Sequence, residues 1–284
     1  MARLPVDGTL IVPVANWETA DRLLTTAIDL AHERSMHLLV LHVVEVPAQL
    51  PLSDGDVLLE DDDERREMLD DAEQRCDGAG VEAEVRLRFA RDVATGIVGA
   101  VAEHGGDALL MGWRGRPRRR DIVLGSFLDR VLAEAPCDVF VRRIKQPPRD
   151  INSILVPVAG GPHCELSVTL AEALARHHNA TVSLVHVLPE DASESRIAEA
   201  ASMLEQHEGA LDTKAVVAET ATLRGDSVGG EITDLSADHD LTIIGATRRA
   251  FLRRKLVGSV AEGVGRAATS QVIVTRSAAD MVDT

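Results

Sequence analysis

The chain has 284 residues, of which 45% are hydrophobic and 27% are charged, and its net charge is −16. This length and composition suffice for two ordinary globular domains with buried cores. The negative charge excludes nucleic acid as the main partner, and no apolar run approaches the roughly 20 residues that cross a bilayer, so we expect no membrane insertion. Three cysteines without metal-ligand spacing and an N-terminus without a signal-peptide core indicate a reducing, cytoplasmic setting.

Apolar and amphipathic segments alternate along the first half of the chain. The pattern predicts strands near residues 9–15, 38–44, 81–88, 107–112 and 138–143, and helices near residues 18–34, 58–78, 92–104 and 126–135. The segment 38–41 is apolar on both faces, which is typical of strands in a parallel sheet that is covered on both sides. Strict alternation of strand and helix therefore predicts a doubly wound α/β fold with right-handed crossovers.

The second half of the chain repeats the first. Residues 9–15 align with residues 153–159 at an offset of 144, and residues 107–143 align without a gap at an offset of 133. The corresponding strands are predicted near residues 153–159, 181–187, 213–219, 240–245 and 271–276. A repeat of this length is too long for a solenoid unit. We expect two domains joined by a short Pro-Pro spacer, at residues 1–145 and 150–284.

A glycine-bearing loop follows the fourth predicted strand of the first copy. Gly112, Gly115, Gly125 and Ser126 have the spacing Gly-x2-Gly-x9-Gly-Ser. Glycine lets a backbone approach a ligand closely, and the free N–H groups at a helix N-terminus favour an anion. Doubly wound sheets bind ligands beyond the carboxyl ends of their strands. The sequence therefore predicts an anion-binding crevice where the first and fourth strands end.

The second copy keeps this spacing with one change. Its equivalent residues are Gly245, Arg248, Gly258 and Ser259, so an arginine stands where the second glycine would be. A side chain there occupies space that a ligand needs, whereas a guanidinium also donates strong hydrogen bonds to phosphate. We expect the second copy to be a degenerate scaffold.

Several of these residues also fit purely structural roles. Ser126 and Ser259 each precede an acidic residue by three positions, which is the capping-box pattern of a helix N-terminus. Gly112 and Gly115 fit positions with left-handed backbone angles. Both interpretations stay open beside anion binding.

Basic residues and histidines near the sheet end have two interpretations as well. The segments 114–120 and 248–255 are rich in arginine, which fits an anionic ligand and equally a solvated loop that balances local acid. His42 and His186 are equivalent residues for which packing is favoured over catalysis. The excess of 27 arginines over three lysines fits both a high-salt cytoplasm and a GC-rich genome.

The duplication, the alternation of elements and the glycine spacing together resemble the tandem members of the universal stress protein (UspA-like) family. Gly112, Gly115, Gly125 and Ser126 match the motif of its nucleotide-binding members. The resemblance implies two HUP/Rossmann-like domains, each a five-stranded parallel sheet of order 3-2-1-4-5, whose fifth strands pair in an internal pseudo-dimer. The segments Leu-Val-Pro-Val-Ala, Val-Val-Glu-Val-Pro and Gly-Trp-Arg-Gly are similar to the paired cytoplasmic universal-stress domains of amino-acid permeases.

The resemblance implies an adenine nucleotide as the ligand, namely ATP, AMP or a cyclic form, with or without Mg²⁺. The first-copy residues that it implies are Pro13, Val14, Ala15, Val43, Met111, Gly112, Gly115, Gly125, Ser126, Phe127 and Leu128. The second-copy residues are Val187, Gly245, Arg248, Gly258 and Ser259. Nucleotide-binding members usually carry an aspartate where this chain has Ala15 and Ala159, so the resemblance also implies weakened ATP binding.

Two functions are compatible with these patterns. The first is a non-enzymatic, stress-related regulator that binds an adenine nucleotide and acts on a membrane transporter. The second is a nucleotide-free interaction module that acts through dimerisation. The sequence has no Gly-x4-Gly-Lys-(Ser/Thr) loop and no Gly-x-Ser-x-Gly nucleophile elbow, so we expect neither catalytic residues nor a metal site.

Overall fold

A computed structural model of the chain describes residues 4–59, 63–114, 126–145, 150–212, 214–246 and 258–281. The first copy contains β1 (Thr9–Pro13), α1 (Trp17–Arg34), β2 (His37–Glu45), α2 (Asp63–Gly78), β3 (Ala83–Ala90), α3 (Val93–His104), β4 (Ala108–Trp113), α4 (Ser126–Glu134) and β5 (Asp138–Arg143). The second contains β6 (Ser153–Pro157), α5 (Pro162–His178), β7 (Thr181–Leu188), α6 (Glu194–Glu208), β8 (Val217–Arg224), α7 (Val228–Leu235), β9 (Leu241–Gly245), α8 (Ser259–Ala267) and β10 (Gln271–Arg276). Short 3₁₀ segments cover Leu52–Leu59, Ser236–Asp238 and Ala278–Met281.

All ten strands form one continuous sheet. Its order is β3-β2-β1-β4-β5-β10-β9-β6-β7-β8, so each copy has the predicted order 3-2-1-4-5. Pairing is parallel within each copy, and β5 pairs antiparallel with β10 from Val139 opposite Arg276 to Arg142 opposite Ile273. The predicted α/β fold and the internal pseudo-dimer are confirmed, and the two five-stranded sheets are joined edge to edge.

The helices cover the sheet in two layers that continue across both copies. One core cluster combines the inward side chains of α1, α2, α5 and α6 with one face of the sheet. The other combines those of α3, α4, α7 and α8 with the opposite face. Alternate residues of β1 show the arrangement, because Leu10 and Val12 belong to the first core and Ile11 to the second. None of the described helices combines the length and the hydropathy that a membrane span requires.

The first helix of each copy ends in the same way. Ser35 follows α1 and Asn179 follows α5, and both have left-handed backbone angles, with φ of 51° and 55°. Their N–H groups donate to Ala31 and Ala175, respectively, which satisfies a carbonyl of the last helical turn. The two helices begin differently. The Asn16 side chain caps α1, whereas the N-cap of α5 is Gly161, which has φ of 84° and makes no side-chain hydrogen bond.

The third strand of each copy has bounds that differ from the sequence prediction. Strands near residues 81–88 and 213–219 were expected, but β3 spans Ala83–Ala90 and β8 spans Val217–Arg224. Ahead of β8, the N–H groups of Ala215 and Val216 both donate to the carbonyl of Asp212 and form a turn. This local turn competes with strand pairing, so the strand begins later than the apolar pattern indicates.

Buried arginines join the two copies reciprocally. Arg143 of β5 donates to the carbonyls of Gly265, Ala268 and Ser270, which follow or end α8. Arg276 of β10 donates to the carbonyls of Ala135 and Cys137 after α4. These two residues are the first-copy equivalents of Ala268 and Ser270. A cation at a helix C-terminus also interacts favourably with the helix dipole. Each copy therefore caps the last helix of the other.

A third buried arginine, Arg142, contacts the helix layer on the opposite face of the sheet. Arg142 donates to the carbonyl of Arg22 and to the side chains of Thr26 and Gln271, so it connects α1, β5 and β10. Burial lowers the pKa of Arg142 to about 10, which still leaves the guanidinium charged at neutral pH. The centre of the molecule thus contains cations whose partners come from both copies.

We predict that Arg276→Met destabilises the whole chain. Arg276 is fully buried, and its loss leaves helix carbonyls of the other copy without their charged donor, at a cost of about 3 kcal/mol. Urea unfolding measures this cost as a lower midpoint. Arg143→Met is expected to lower the midpoint in the same way. Arg86→Met, on the exposed face of β3, is the matched control. It should change the free energy of unfolding by less than about 0.5 kcal/mol. Equal midpoints for all three variants would contradict reciprocal capping.

Candidate functional site

The crevice expected in the first copy lies where β1 and β4 end side by side. The two strands pair in parallel at Leu10 opposite Ala108 and Ile11 opposite Leu109. β2 lies on the opposite side of β1 from β4, so the winding direction of the sheet reverses between β1 and β4. The start of α1 follows directly after β1. Ligands of doubly wound sheets bind at such a position.

The predicted first-copy residues are only partly brought together there. Ala15 is exposed, and Pro13, Val43 and Gly112 are half-buried near the strand ends. Val14 and Met111 are buried in opposite core layers, and their binding role stays a prediction.

The predicted binding residues in α4 lie partly in the core and partly on the surface. Leu128 is buried in the core beneath α4, while Phe127 is exposed. Ser126 is the first residue of α4, but its side chain lies outside the described residues. Gly115 and Gly125 also lie outside them, so their binding role stays a prediction.

Gly112 lies in tightly packed surroundings and does not have left-handed backbone angles. Its φ lies outside the left-handed region, and an added Cβ would lie 3.2 Å from Ile144 Cδ1 and 3.4 Å from Thr19 Cγ2. The end of β4 therefore approaches the first turn of α1 closely. The interpretation of Gly112 as a left-handed turn residue is wrong.

An ion pair lies at the mouth of this crevice. Arg114 Nη2 is 2.7 Å from Glu18 Oε2, and Glu18 Oε1 is 3.3 Å from Arg22 Nη2. Glu18 is in the first turn of α1, where the helix dipole favours a carboxylate. Arg114, which the sequence analysis treats as a possible contact for an anionic ligand, thus already has an acidic partner. This partner was missed because Glu18 and Arg114 are far apart in the sequence.

The N-terminus of α1 is capped by its own chain. The side-chain oxygen of Asn16 accepts hydrogen bonds from the Thr19 N–H at 3.0 Å and from the Thr19 hydroxyl at 3.0 Å. Such a cap satisfies one of the N–H groups that a helix N-terminus otherwise offers to an anion. Among the described residues, the Arg114 guanidinium is a further donor at this mouth.

The equivalent histidines of β2 and β7 have a structural role. His42 Nδ1 is 2.7 Å from the carbonyl oxygen of Val14, and His186 Nδ1 is 2.6 Å from that of Val158. A carbonyl oxygen only accepts, so Nδ1 carries the proton in both rings. Each ring fastens its strand to the residue that follows the first strand of the copy, as the packing interpretation expects.

In the second copy, the first turn of α5 packs closely against the end of β9. A Cβ at Gly245 would lie 3.0 Å from the backbone carbon of His163. The buried His163 ring accepts a hydrogen bond from the Ser277 N–H at 2.9 Å, and its carbonyl accepts one from the Thr275 hydroxyl at 2.9 Å. The first turn of α5 is therefore held against β9 and β10. This network was not foreseen from the sequence.

The start of α8 shows that the capping-box interpretation of Ser259 is wrong. The helix begins at Ser259, its N-cap is the buried Gly258 with φ of 83°, and the N-cap has no side-chain hydrogen bond. Ser259 is exposed and already helical, so it is not the cap of a capping box, and Glu262 pairs instead with Arg266 at 2.8 Å. Val187 is buried at 8% exposure in the core. Arg248 lies outside the described residues.

The three cysteines are buried and unpaired. Burial raises the pKa of the Cys137 thiol to about 12, and it also raises the pKa of Cys76 and Cys164. A thiol in this state is a poor nucleophile at neutral pH. The cysteines therefore serve as core residues.

Comparisons with known proteins identify the family. The model of the universal stress protein family matches residues 8–143 and, again, residues 151–276. The Na⁺/H⁺ antiporter NhaS5 of Synechocystis sp. is 26% identical over 273 residues, which are 94% of this chain and 38% of the antiporter. The chain thus spans less than half the length of that relative. A universal stress protein of Mycobacterium tuberculosis is 28% identical over 87% of this chain and 89% of its own length.

A solved structure extends the likeness to a transporter domain. The cytoplasmic domain of a prokaryotic cation chloride cotransporter has a TM-score of 0.63 and 11% identity, and the match covers 96% of both chains. At this identity the likeness concerns the fold. The two family matches together cover most of the sequence and coincide with the two copies in the sheet, so this chain belongs to the universal stress protein family as a tandem member.

Proposed function

We propose that the chain is a non-enzymatic regulator whose first copy binds an adenine nucleotide in the crevice between β1 and β4. The supporting observation is that the ends of β1 and β4 lie side by side next to the start of α1. The loop that leaves β4 has the full Gly-x2-Gly-x9-Gly-Ser spacing. Its glycines permit a close approach of the backbone to phosphate, and α4 begins at the end of that spacing.

In this proposal Arg114 exchanges partners when a nucleotide binds. Its side chain is 56% exposed and reaches Glu18 across the mouth of the crevice. An exposed ion pair contributes little to stability, about 0–1 kcal/mol, so a phosphate group can replace the carboxylate at low cost. A guanidinium binds phosphate oxygens with strong charge-assisted hydrogen bonds. Phosphate binding would then release Glu18 from Arg114.

The second copy serves as a scaffold in this proposal. The nearest atoms to a Cβ at Gly245 belong to the backbone of α5, whereas the nearest to one at Gly112 belong to the side chains of Ile144 and Thr19. Side chains adjust to a ligand more readily than a helix backbone does. The close packing of Gly245 against α5 and the arginine at residue 248 of the sequence both support a binding role for the first copy alone.

The regulated partner that we propose is a membrane transporter. Support comes from the alignment of 94% of this chain with 38% of a Na⁺/H⁺ antiporter. We infer that the paired copies form a nucleotide-responsive unit that contacts the transporter, and that nucleotide binding changes the surface offered to it. The chain itself contributes no catalytic step in this proposal.

A second candidate function is a nucleotide-free interaction module. It is favoured by Ala15 and Ala159, which stand at the exposed ends of the first strands where nucleotide-binding relatives usually carry an aspartate. The Arg114–Glu18 pair also favours it, because it satisfies the donor that a phosphate would use. Direct measurement of nucleotide binding distinguishes the two candidates.

We predict that calorimetry detects binding of at least one of ATP, ADP, AMP and cyclic AMP at a stoichiometry of one per chain. Ala15→Asp should raise the affinity, because the added carboxylate can accept hydrogen bonds from a nucleoside, and the exposed position tolerates it. A good hydrogen bond contributes about 1 kcal/mol, or roughly five-fold in affinity. Ala159→Asp is the matched control at the equivalent exposed position of the second copy and should change nothing.

Two results would count against the proposal. The absence of heat with every nucleotide, for wild type and Ala15→Asp, would leave the interaction module as the function. An equal gain from Ala159→Asp would assign binding to the second copy or to both.

We also predict that Glu18→Gln strengthens the binding of AMP and leaves that of adenosine unchanged. The substitution frees Arg114 and removes a carboxylate that repels phosphate, so the expected gain is about two- to five-fold. Titration of both ligands separates a phosphate effect from a general one. Glu194→Gln in the first turn of α6 is the control for loss of a helix-start carboxylate. Identical gains for AMP and adenosine would mean that Arg114 does not bind the phosphate.

A further inference from the structure

A cluster of histidines and carboxylates lies where α1 of the first copy packs against α5 of the second. His177 Nε2 is 3.1 Å from Asp29 Oδ1, and His178 Nε2 is 3.0 Å from Asp29 Oδ2. One ligand atom from each of these residues lies within 4.8 Å of the others. We propose that Asp29, His177 and His178 form a site for a divalent transition-metal ion, with Zn²⁺ as its representative.

The donor set matches the chemistry of such ions. Two imidazole nitrogens and one carboxylate suit zinc, nickel and copper, whereas magnesium and calcium prefer oxygen ligands throughout. Ligand atoms bound tetrahedrally to zinc at about 2.0–2.1 Å lie roughly 3.3 Å apart. The two nitrogen–oxygen separations, one to each Asp29 oxygen, are close to this value. Water completes the coordination on the solvent side.

A second group of side chains orients His177. Its Nδ1 is 3.7 Å from Glu33 Oε1, and Glu33 is held in turn by Arg176 at 3.4 Å. A carboxylate on the far nitrogen of a histidine fixes the ring and strengthens the other nitrogen as a ligand, as is typical of metal sites. The His32 ring stacks on His177 with ring centroids 5.9 Å apart. The ring of His177 is therefore held with Nε2 directed at Asp29.

The position of the cluster on α5 favours a cation. His177 and His178 are the last two residues of the helix, and its C-terminus carries a partial negative charge from the unpaired carbonyls. Their side chains are 29% and 22% exposed, while that of Asp29 is 10% exposed. An ion can thus enter from solvent and meet a carboxylate that is largely removed from water.

Metal binding would join the two copies at a second place. Asp29 belongs to α1 and both histidines belong to α5, so one ion connects helices of different copies beside the β5–β10 pairing. An ion that binds only the folded chain stabilises it in proportion to its concentration. The site is separate from the crevice, so it does not depend on the proposed nucleotide.

The test is a titration of metal-stripped full-length protein with Zn²⁺ and with Co²⁺ in the absence of nucleotide. We expect one ion per chain, visible absorption from bound Co²⁺ and a Zn²⁺-dependent rise in melting temperature. His178→Ala should weaken Zn²⁺ binding at least about ten-fold and abolish the rise in melting temperature. The matched control is His104→Ala in the last turn of α3, which should leave both unchanged.

A second variant separates a metal site from a simple hydrogen-bonded contact. His178→Gln retains a donor toward Asp29 but lacks the imidazole ligand, so we expect a normal melting temperature without metal and a loss of Zn²⁺ binding. Circular dichroism confirms that each variant is folded. Wild-type protein that binds no Zn²⁺, or His178 variants that bind it with unchanged affinity, would overturn the proposal.

Discussion

The antiparallel pairing of β5 with β10 is the constraint on which the rest of the structure depends. It places two strands that would be sheet edges in the isolated copies at the centre of a ten-stranded sheet. Arg143 and Arg276 are buried by this pairing, and a buried cation needs hydrogen-bond acceptors. Those acceptors are carbonyls at the ends of α8 and α4 in the opposite copies. Neither copy can satisfy its own fifth strand, so the two form one structural unit.

This shared frame allows the two crevices to differ. Reciprocal capping uses equivalent residues in both copies, whereas the starts of the first helices are not equivalent. Asn16 caps α1, but Gly160 with φ of 77° and the uncapped Gly161 lead into α5. His163 then binds Ser277 and Thr275, and this brings the helix backbone against the end of β9. Divergence is thus concentrated in the segments that follow strands, where a change does not disturb the central pairing.

Most of the fold could be predicted from the sequence, because it rests on local periodicity and on the repeat. The bounds of β5 and β10 agree with the apolar pattern, and the strand order follows from the family that the glycine spacing indicates. The later start of β8 could not be predicted, because the turn at Asp212 is a backbone contact without an apolar signal. Ser259 fitted a cap by spacing alone, but the helix begins at that residue and not after it.

The candidate sites were harder to predict, since their contacts join distant parts of the chain. Nothing local to Arg114 indicates that Glu18 lies 2.7 Å away. Asp29 and His178 belong to different copies, and their proximity requires both the sheet order and the packing of α1 on α5. The repeat also conceals the cluster, because the sequence equivalents of His177 and His178 are Glu33 and Arg34 of the first copy. A search for matching motifs in both copies therefore cannot find it.

The helix α1 connects the two candidate sites physically. It begins at the crevice with Glu18, and Asp29 lies three turns further along the same capped helix. Between them, Arg22 donates to the carbonyl of Ile144 and accepts from Arg142 through its own carbonyl. Arg22 and Thr26 thus fasten the middle of the helix to the end of β5. The crevice and the contact with α5 therefore lie at two ends of one helix, which the buried Arg142 holds between them.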